Sequence, residues 1–101
     1  MDAKFVRERI TQLRMIKGVS EYKMSYDLGH SRGYINNISS GKALPSLSEL
    51  FAICDYFDIS PVEFFGKAEN PKLFRTITSD IEKLSEKDLQ LVQTIVTRLL
   101  Q

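Results

Sequence analysis

Apolar residues recur along this 101-residue chain at spacings of three and four, and glycines break the pattern at short intervals. Phe5, Val6, Ile10, Leu13 and Ile16 share one face of a helix over residues 4–16, and Gly18 follows where a left-handed C-cap belongs. Ser20 is placed to N-cap a short helix over 20–28 carrying Met24 and Leu28, with Gly29 to end it. Ser31 is placed to cap a third helix, over 31–40, that buries Ile35 and Ile38 before Gly41. Stops this closely spaced leave no room for strands.

Further on, Ser46 with Glu49 and Ser60 with Glu63 have capping-box spacing, the second with Pro61 at the first helical position. The first box opens a helix bearing Leu47, Leu50, Phe51, Ile53, Cys54 and Phe57. The second opens a short one bearing the core pair Phe64 and Phe65, which Gly66 ends. A polar connector at 67–72 leads to an amphipathic run of Leu73, Phe74, Ile77, Ile81 and Leu84. Ser85 to Asp88 then cap a last helix carrying Leu89, Leu91, Val92, Ile95, Val96, Leu99 and Leu100. The expected fold is all-α: a five-helix domain over residues 1–66 and a helical extension over 67–101 with two amphipathic helices. Two helices of about 14 residues do not stably bury their faces alone. The apolar arc of the last one is wider than a single intramolecular contact covers. The pattern therefore predicts a homodimer with residues 71–101 at or near its interface.

Composition narrows the function. Hydrophobic residues at 43% and charged residues at 27% are ordinary for a folded globular chain. No apolar run approaches the roughly 18 residues of a membrane span, and the first ten residues lack the apolar core of a secretory signal. Cys54 is the single cysteine and His30 the single histidine, which excludes an internal disulfide and a structural zinc site and points to a reducing cytoplasm. Cys54 reads as a small buried hydrophobe and His30 as an exposed turn residue. There is no Cys/His pair, glycine-rich phosphate loop or nucleophile elbow, so the sequence predicts no enzyme, no catalytic residue, no metal and no cofactor. The acids Asp55, Asp58 and Glu63 are spaced for capping and surface roles. The net charge of +1 hides an uneven distribution. Residues 4–42 hold eight basic and three acidic groups, whereas residues 43–66 hold four acids and no Lys or Arg. The basic half is suited to face a polyanion.

Residues 20–40 specify two short helices joined at a tight turn, Leu28-Gly29-His30, with Leu28, Ile35 and Ile38 to pin them at a steep angle. From Ile10 to Phe65 the chain resembles the lambda-repressor-like, Xre-type helix-turn-helix family. The resemblance is carried by Ile10-x-x-Leu13-Arg14-x-x-Lys17-Gly18-x-Ser20 and by Leu28-Gly29-x-Ser31-x-x-Tyr34-Ile35-x-x-Ile38. It continues through Gly41-Lys42-x-x-Pro45-Ser46-Leu47-x-x-Leu50 and Ile53-Cys54-Asp55-Tyr56-Phe57-x-Ile59-Ser60-Pro61-x-Glu63-Phe64-Phe65. It covers a little over half the chain and implies a five-helix DNA-binding domain of a bacterial or phage transcription regulator.

Carried over position by position, the resemblance implies that the recognition helix begins at Ser31. It places Arg32, Gly33, Asn36 and Asn37 toward base edges, where Arg pairs with guanine and Asn with adenine. It implies phosphate contacts from Arg14, Ser20, Lys23, Ser31, Tyr34, Ser40 and Lys42. Three features depart from the family. Glu21 stands where a phosphate-clamping Gln is usual, and a carboxylate there repels phosphate unless it is neutralised or turned away. Ser39 stands where a Glu usually pairs with the helix-one arginine, which leaves Arg14 free for phosphate. Residues 33–40 are poor helix formers. The reading that follows is a regulator, a repressor, that binds a palindromic double-stranded DNA operator as a dimer. The alternative is a protein-interaction module, antitoxin-like or regulator-binding, in which DNA binding is secondary or lost.

Overall fold

A computed structural model describes residues 2–66 and 68–101; Met1 and Lys67, the first residue of the predicted connector, lie outside the described residues. Backbone contacts divide the chain into two compact units, one running to Pro71 and the other from Lys72 to Gln101. The described residues are all-helical, with no strand among them. The first unit holds α1 (Ala3–Lys17), α2 (Glu21–Asp27), α3 (Tyr34–Ser39), α4 (Leu47–Phe57) and α5 (Pro61–Phe65).

The first four helices end in the same way. The residue after the last helical turn is left-handed: Gly18 at φ 77°, Gly29 at 75°, Gly41 at 90° and Asp58 at 55°. Each is followed by a backbone N–H that reaches back to the carbonyl five residues earlier. Val19 bonds Arg14 at 3.3 Å, His30 bonds Ser25 at 3.0 Å, Lys42 bonds Asn37 at 2.9 Å and Ile59 bonds Cys54 at 3.0 Å. This is the Schellman closure, which satisfies carbonyls the helix leaves orphaned. Asp58 meets the requirement without being glycine, since short polar side chains tolerate this region best among the rest.

The helix starts agree with the predicted caps at Ser20, Ser46 and Ser60, whose hydroxyls accept from Lys23, Glu49 and Glu63. Both capping boxes are closed at each end. Ser31 is a correction. α3 starts at Tyr34, its N-cap position is Gly33, and no side chain of its own caps it. The Ser31 carbonyl, rather than its hydroxyl, takes the Tyr34 N–H at 3.0 Å. Residues 32–33 lie in a turn, because Gly33 is a poor helix former and the helix does not extend backwards through it to Ser31.

The core gathers Ile10 and Leu13 of α1, Met24 of α2, Ile35 and Ile38 of α3, Ile53, Cys54 and Phe57 of α4, then Ile59 and Phe64. Cys54 is buried as expected, and burial pushes its thiol pKa up. The apolar stripes are broader than the core uses. Ile16 on the apolar face of α1, and Leu47 and Phe51 of α4, are about half exposed or more. Phe64 is fully buried, whereas Phe65 is half-buried and stacks on Phe5 with ring centroids 6.1 Å apart.

A cation sits within this apolar set. Arg9 is buried, and its Nε donates to the Phe64 carbonyl at 2.7 Å while an Nη donates to the Glu63 carbonyl at 2.8 Å. The other Nη donates to the Gln12 side chain. Burial lowers the Arg9 pKa, yet a guanidinium stays charged at any ordinary pH. The planar fork therefore caps the carbonyl end of α5 and ties it to α1.

The second unit holds most of α6 (Pro71–Glu82) and α7 (Glu86–Leu99), the latter N-capped by Ser85. Neither helix buries a residue within Lys72–Gln101. Leu91, Leu99 and Leu100 are 60%, 78% and 82% exposed in the single chain.

Replacing Arg9 by Ala should lower unfolding free energy by about 2–4 kcal/mol, since two inward carbonyls lose their donor. Arg9→Lys should recover only part of this, because an ammonium lacks the fork. Urea unfolding of the three proteins measures both.

Candidate nucleic-acid interface

The α2–α3 corner is assembled by one hydroxyl. Ser25 is fully buried; its Oγ donates to the Glu21 carbonyl at 2.8 Å and accepts from the Ile35 N–H at 3.1 Å. Ile35 N–H is among the first donors of α3, the kind an N-cap side chain normally satisfies. The cap that α3 lacks is thus supplied across the corner from α2. Gly29 makes the tight turn between them, and Met24, Ile35 and Ile38 close the interior.

With Ile35 and Ile38 turned inward, α3 offers Asn36, Asn37 and Ser40 to solvent. Arg32 lies in the turn ahead of the helix, exposed, its guanidinium 5.7 Å from the centre of the Tyr22 ring. Gly33 is half-buried at the N-cap position. Of the predicted phosphate contacts, Ser20, Lys23, Ser31, Ser40 and Lys42 are exposed. The Lys23 ammonium is paired with Asp27 at 2.8 Å, which raises the lysine pKa and lowers that of the carboxyl.

Two predicted contacts sit differently. Arg14 is not set free by the change at position 39: its Nη donates to the Val19 carbonyl at 2.8 Å, in a partly buried setting. Tyr34 turns its phenol inward. The Oη is buried beside the Glu49 carboxylate without a well-formed hydrogen bond. Burial first, and Glu49 second, push its pKa up to about 12. The Tyr34 ring stacks on His30 at 3.8 Å and 9°, and the imidazole Nε2 stands 3.8 Å from Glu49 Oε2. His30 is thus an exposed turn residue, as predicted, with its ring laid against Tyr34 and near Glu49.

The Glu21 carboxylate is engaged by two exposed side chains of α3. One carboxylate oxygen accepts from the Ser39 hydroxyl, the other from Asn36 Nδ2 at 3.3 Å. The Ser39 bond, then the Asn36 bond and the Arg14 charge, hold its pKa below the usual carboxylate value against an opposing effect of burial. The two departures at 21 and 39 are one feature. A carboxylate near Arg14 is kept, but it comes from α2 instead of α3, and the hydroxyl at 39 receives it. Reading the two positions together, rather than separately, is the signal that finds this pair. Ser25 gave no comparable signal, because its partners are backbone atoms ten residues away and four residues back.

Among the described residues no group of three or more His, Cys, Asp or Glu is disposed to hold a metal ion, and no helix is long and apolar enough to cross a membrane. The surface built by the corner carries hydrogen-bonding and cationic groups on a rigid apolar base. The helix-turn-helix domain family matches residues 8–70. No curated protein and no solved structure matches the chain.

Ser25→Ala should cost about 1–3 kcal/mol by leaving the Ile35 N–H unsatisfied, and hydrogen exchange should show the Ile35 amide losing protection before amides of α4. Because the folded-state pKa of Glu21 is depressed, its contribution to stability is in place at neutral pH and is lost as pH falls through that lowered value. Carboxyl NMR titration should place the Glu21 midpoint below the ordinary glutamate value.

Proposed function

The chain belongs to the helix-turn-helix domain family, and from that premise we propose that it is a sequence-specific DNA-binding regulator that acts as a repressor in the cytoplasm. The observation that carries this reading is the α2–α3 corner, with polar Arg32, Asn36 and Asn37 outside and Ile35 and Ile38 inside. α3 enters the major groove of double-stranded DNA. Arg32, Asn36 and Asn37 face base edges there, with the Gly33 backbone close by. Ser20, Lys23, Ser31, Ser40 and Lys42 meet phosphates along the flanks, and Arg14 contributes its charge from behind. A repressor role follows from the simplest action of such a domain, which is to occupy its operator.

We further propose a homodimer through residues 71–101, reading a palindromic operator. The apolar faces of α6 and α7 support it: Leu73, Phe74, Ile77, Leu91, Ile95 and Leu99 are all about half exposed or more in the single chain. Two recognition helices then address half-sites about one DNA turn apart.

Selection of bound duplexes from a random pool at near-physiological salt should enrich an inverted repeat. Arg32→Ala should relax preference at one base pair, worth about 1–3 kcal/mol, while Lys42→Ala should weaken all sequences alike. Sedimentation should find a dimer that Leu91→Glu with Leu99→Glu converts to monomer. Failure of the folded chain to enrich any sequence would overturn this reading and leave the apolar second unit as the part to test for a protein partner.

A further inference from the structure

The hydrogen bond between Glu21 and Asn36 settles something that an exposed asparagine alone leaves open. An amide side chain can present either its oxygen or its nitrogen to a given neighbour. A carboxylate only accepts, so the group facing Glu21 must be the nitrogen. Asn36 Nδ2 lies 3.3 Å from one Glu21 oxygen. The other Glu21 oxygen is held by the Ser39 hydroxyl, one turn further along α3, so the carboxylate cannot swing away without losing a second bond. Asn36 is thereby left with Oδ1 and its second N–H unengaged by Glu21. With the N–H anti to Oδ1 given to Glu21, the remaining Oδ1 and syn N–H form an edge that matches the N6 donor and N7 acceptor of adenine in the major groove.

We propose that Glu21 is a positioning residue for base readout: it fixes the amide of Asn36 so that this side chain selects adenine. The inference rests on the DNA-binding reading given above and adds the residue that sets how Asn36 reads its base. It also accounts for a carboxylate on a surface that faces a polyanion. The negative charge weakens binding to every sequence alike, and in exchange the orientation of one reader is defined. Arg14, whose charge acts on Glu21, moderates the repulsion.

The two effects separate in a single variant. Glu21→Gln keeps size and shape and removes the charge, but its own amide can accept or donate, so Asn36 is no longer held one way round. Selection from a random duplex pool is run with the full chain and with E21Q, N36A and the double variant, each shown to be folded by circular dichroism. The wild type should prefer adenine about fivefold or more at one base pair, and N36A should abolish that preference. E21Q should bring the same preference toward parity, leave other positions unchanged, and bind random duplex more tightly than the wild type. In the N36A background E21Q should change nothing further at that base pair.

Full retention of the adenine preference in E21Q overturns the proposal, as does an even loss at all positions, which marks a merely structural role. An enriched operator in which N36A alters no position overturns it while leaving the regulator reading intact. If the wild type enriches nothing, the regulator reading falls and this inference falls with it.

Discussion

The side chain of Ser25 is the constraint on which the recognition surface depends. α3 has six residues, begins at a glycine and has no cap of its own. A helix that short does not persist by propensity. Its early donor, the Ile35 N–H, is satisfied only when α2 lies beneath it with the Ser25 hydroxyl in place. Formation of α3 and the angle it makes with α2 are therefore one event rather than two. The site tolerates little change in size, because Ser25 is fully buried and bonded to both Glu21 and Ile35. A larger side chain lifts α3 off the corner, and a smaller apolar one leaves a polar hydrogen without water or partner.

What the sequence made legible was whatever local chemistry decides. Glycines after the first three helices, the serines ahead of α2, α4 and α5, and the two capping boxes all act within four or five residues. Each stands in the structure where the pattern put it. The helix-turn-helix corner was legible for the same reason. The misplaced features involve choices made across helices. Ser31 had the right chemistry for a cap, but Gly33 took the position because the corner already supplied a donor partner. Ile16, Leu47 and Phe51 lie on apolar stripes, yet the small first unit has too little opposing surface to cover them. Asp58 took a left-handed conformation that composition assigns to glycine. Arg9 reads as one more surface cation until α5 places two carbonyls against it.

The candidate interface was legible as a set of residue types and less so as an arrangement. Arg32, Asn36, Asn37 and Lys42 face outward as their positions on or beside α3 require. The relations between side chains were not readable. Lys23 shares its charge with Asp27, which in turn accepts from Tyr56 of α4 at 2.7 Å. Arg14 spends a donor on Val19, and Glu21 bridges to α3. The basic half of the chain is thus less uniformly positive at its surface than a count of residues suggests. Several of its charges already answer to partners inside the protein, so contact with a polyanion competes with bonds that exist beforehand.

Arg9 has a different kind of significance. Its two strong acceptors are main-chain oxygens of residues 63 and 64, which are present whatever side chains those positions carry. A pairing of two side chains can be lost through a change at either end, and its survival ties two codons together. Here only one codon is bound by the contact, and residues 63 and 64 answer to the capping box and the core instead of to Arg9. The joint is also far less sensitive to the salt that governs binding to a polyanion, since a buried guanidinium is screened much less than a surface charge. The same chain can then release a nucleic acid on a rise in ionic strength while keeping the joint between its first and fifth helices closed.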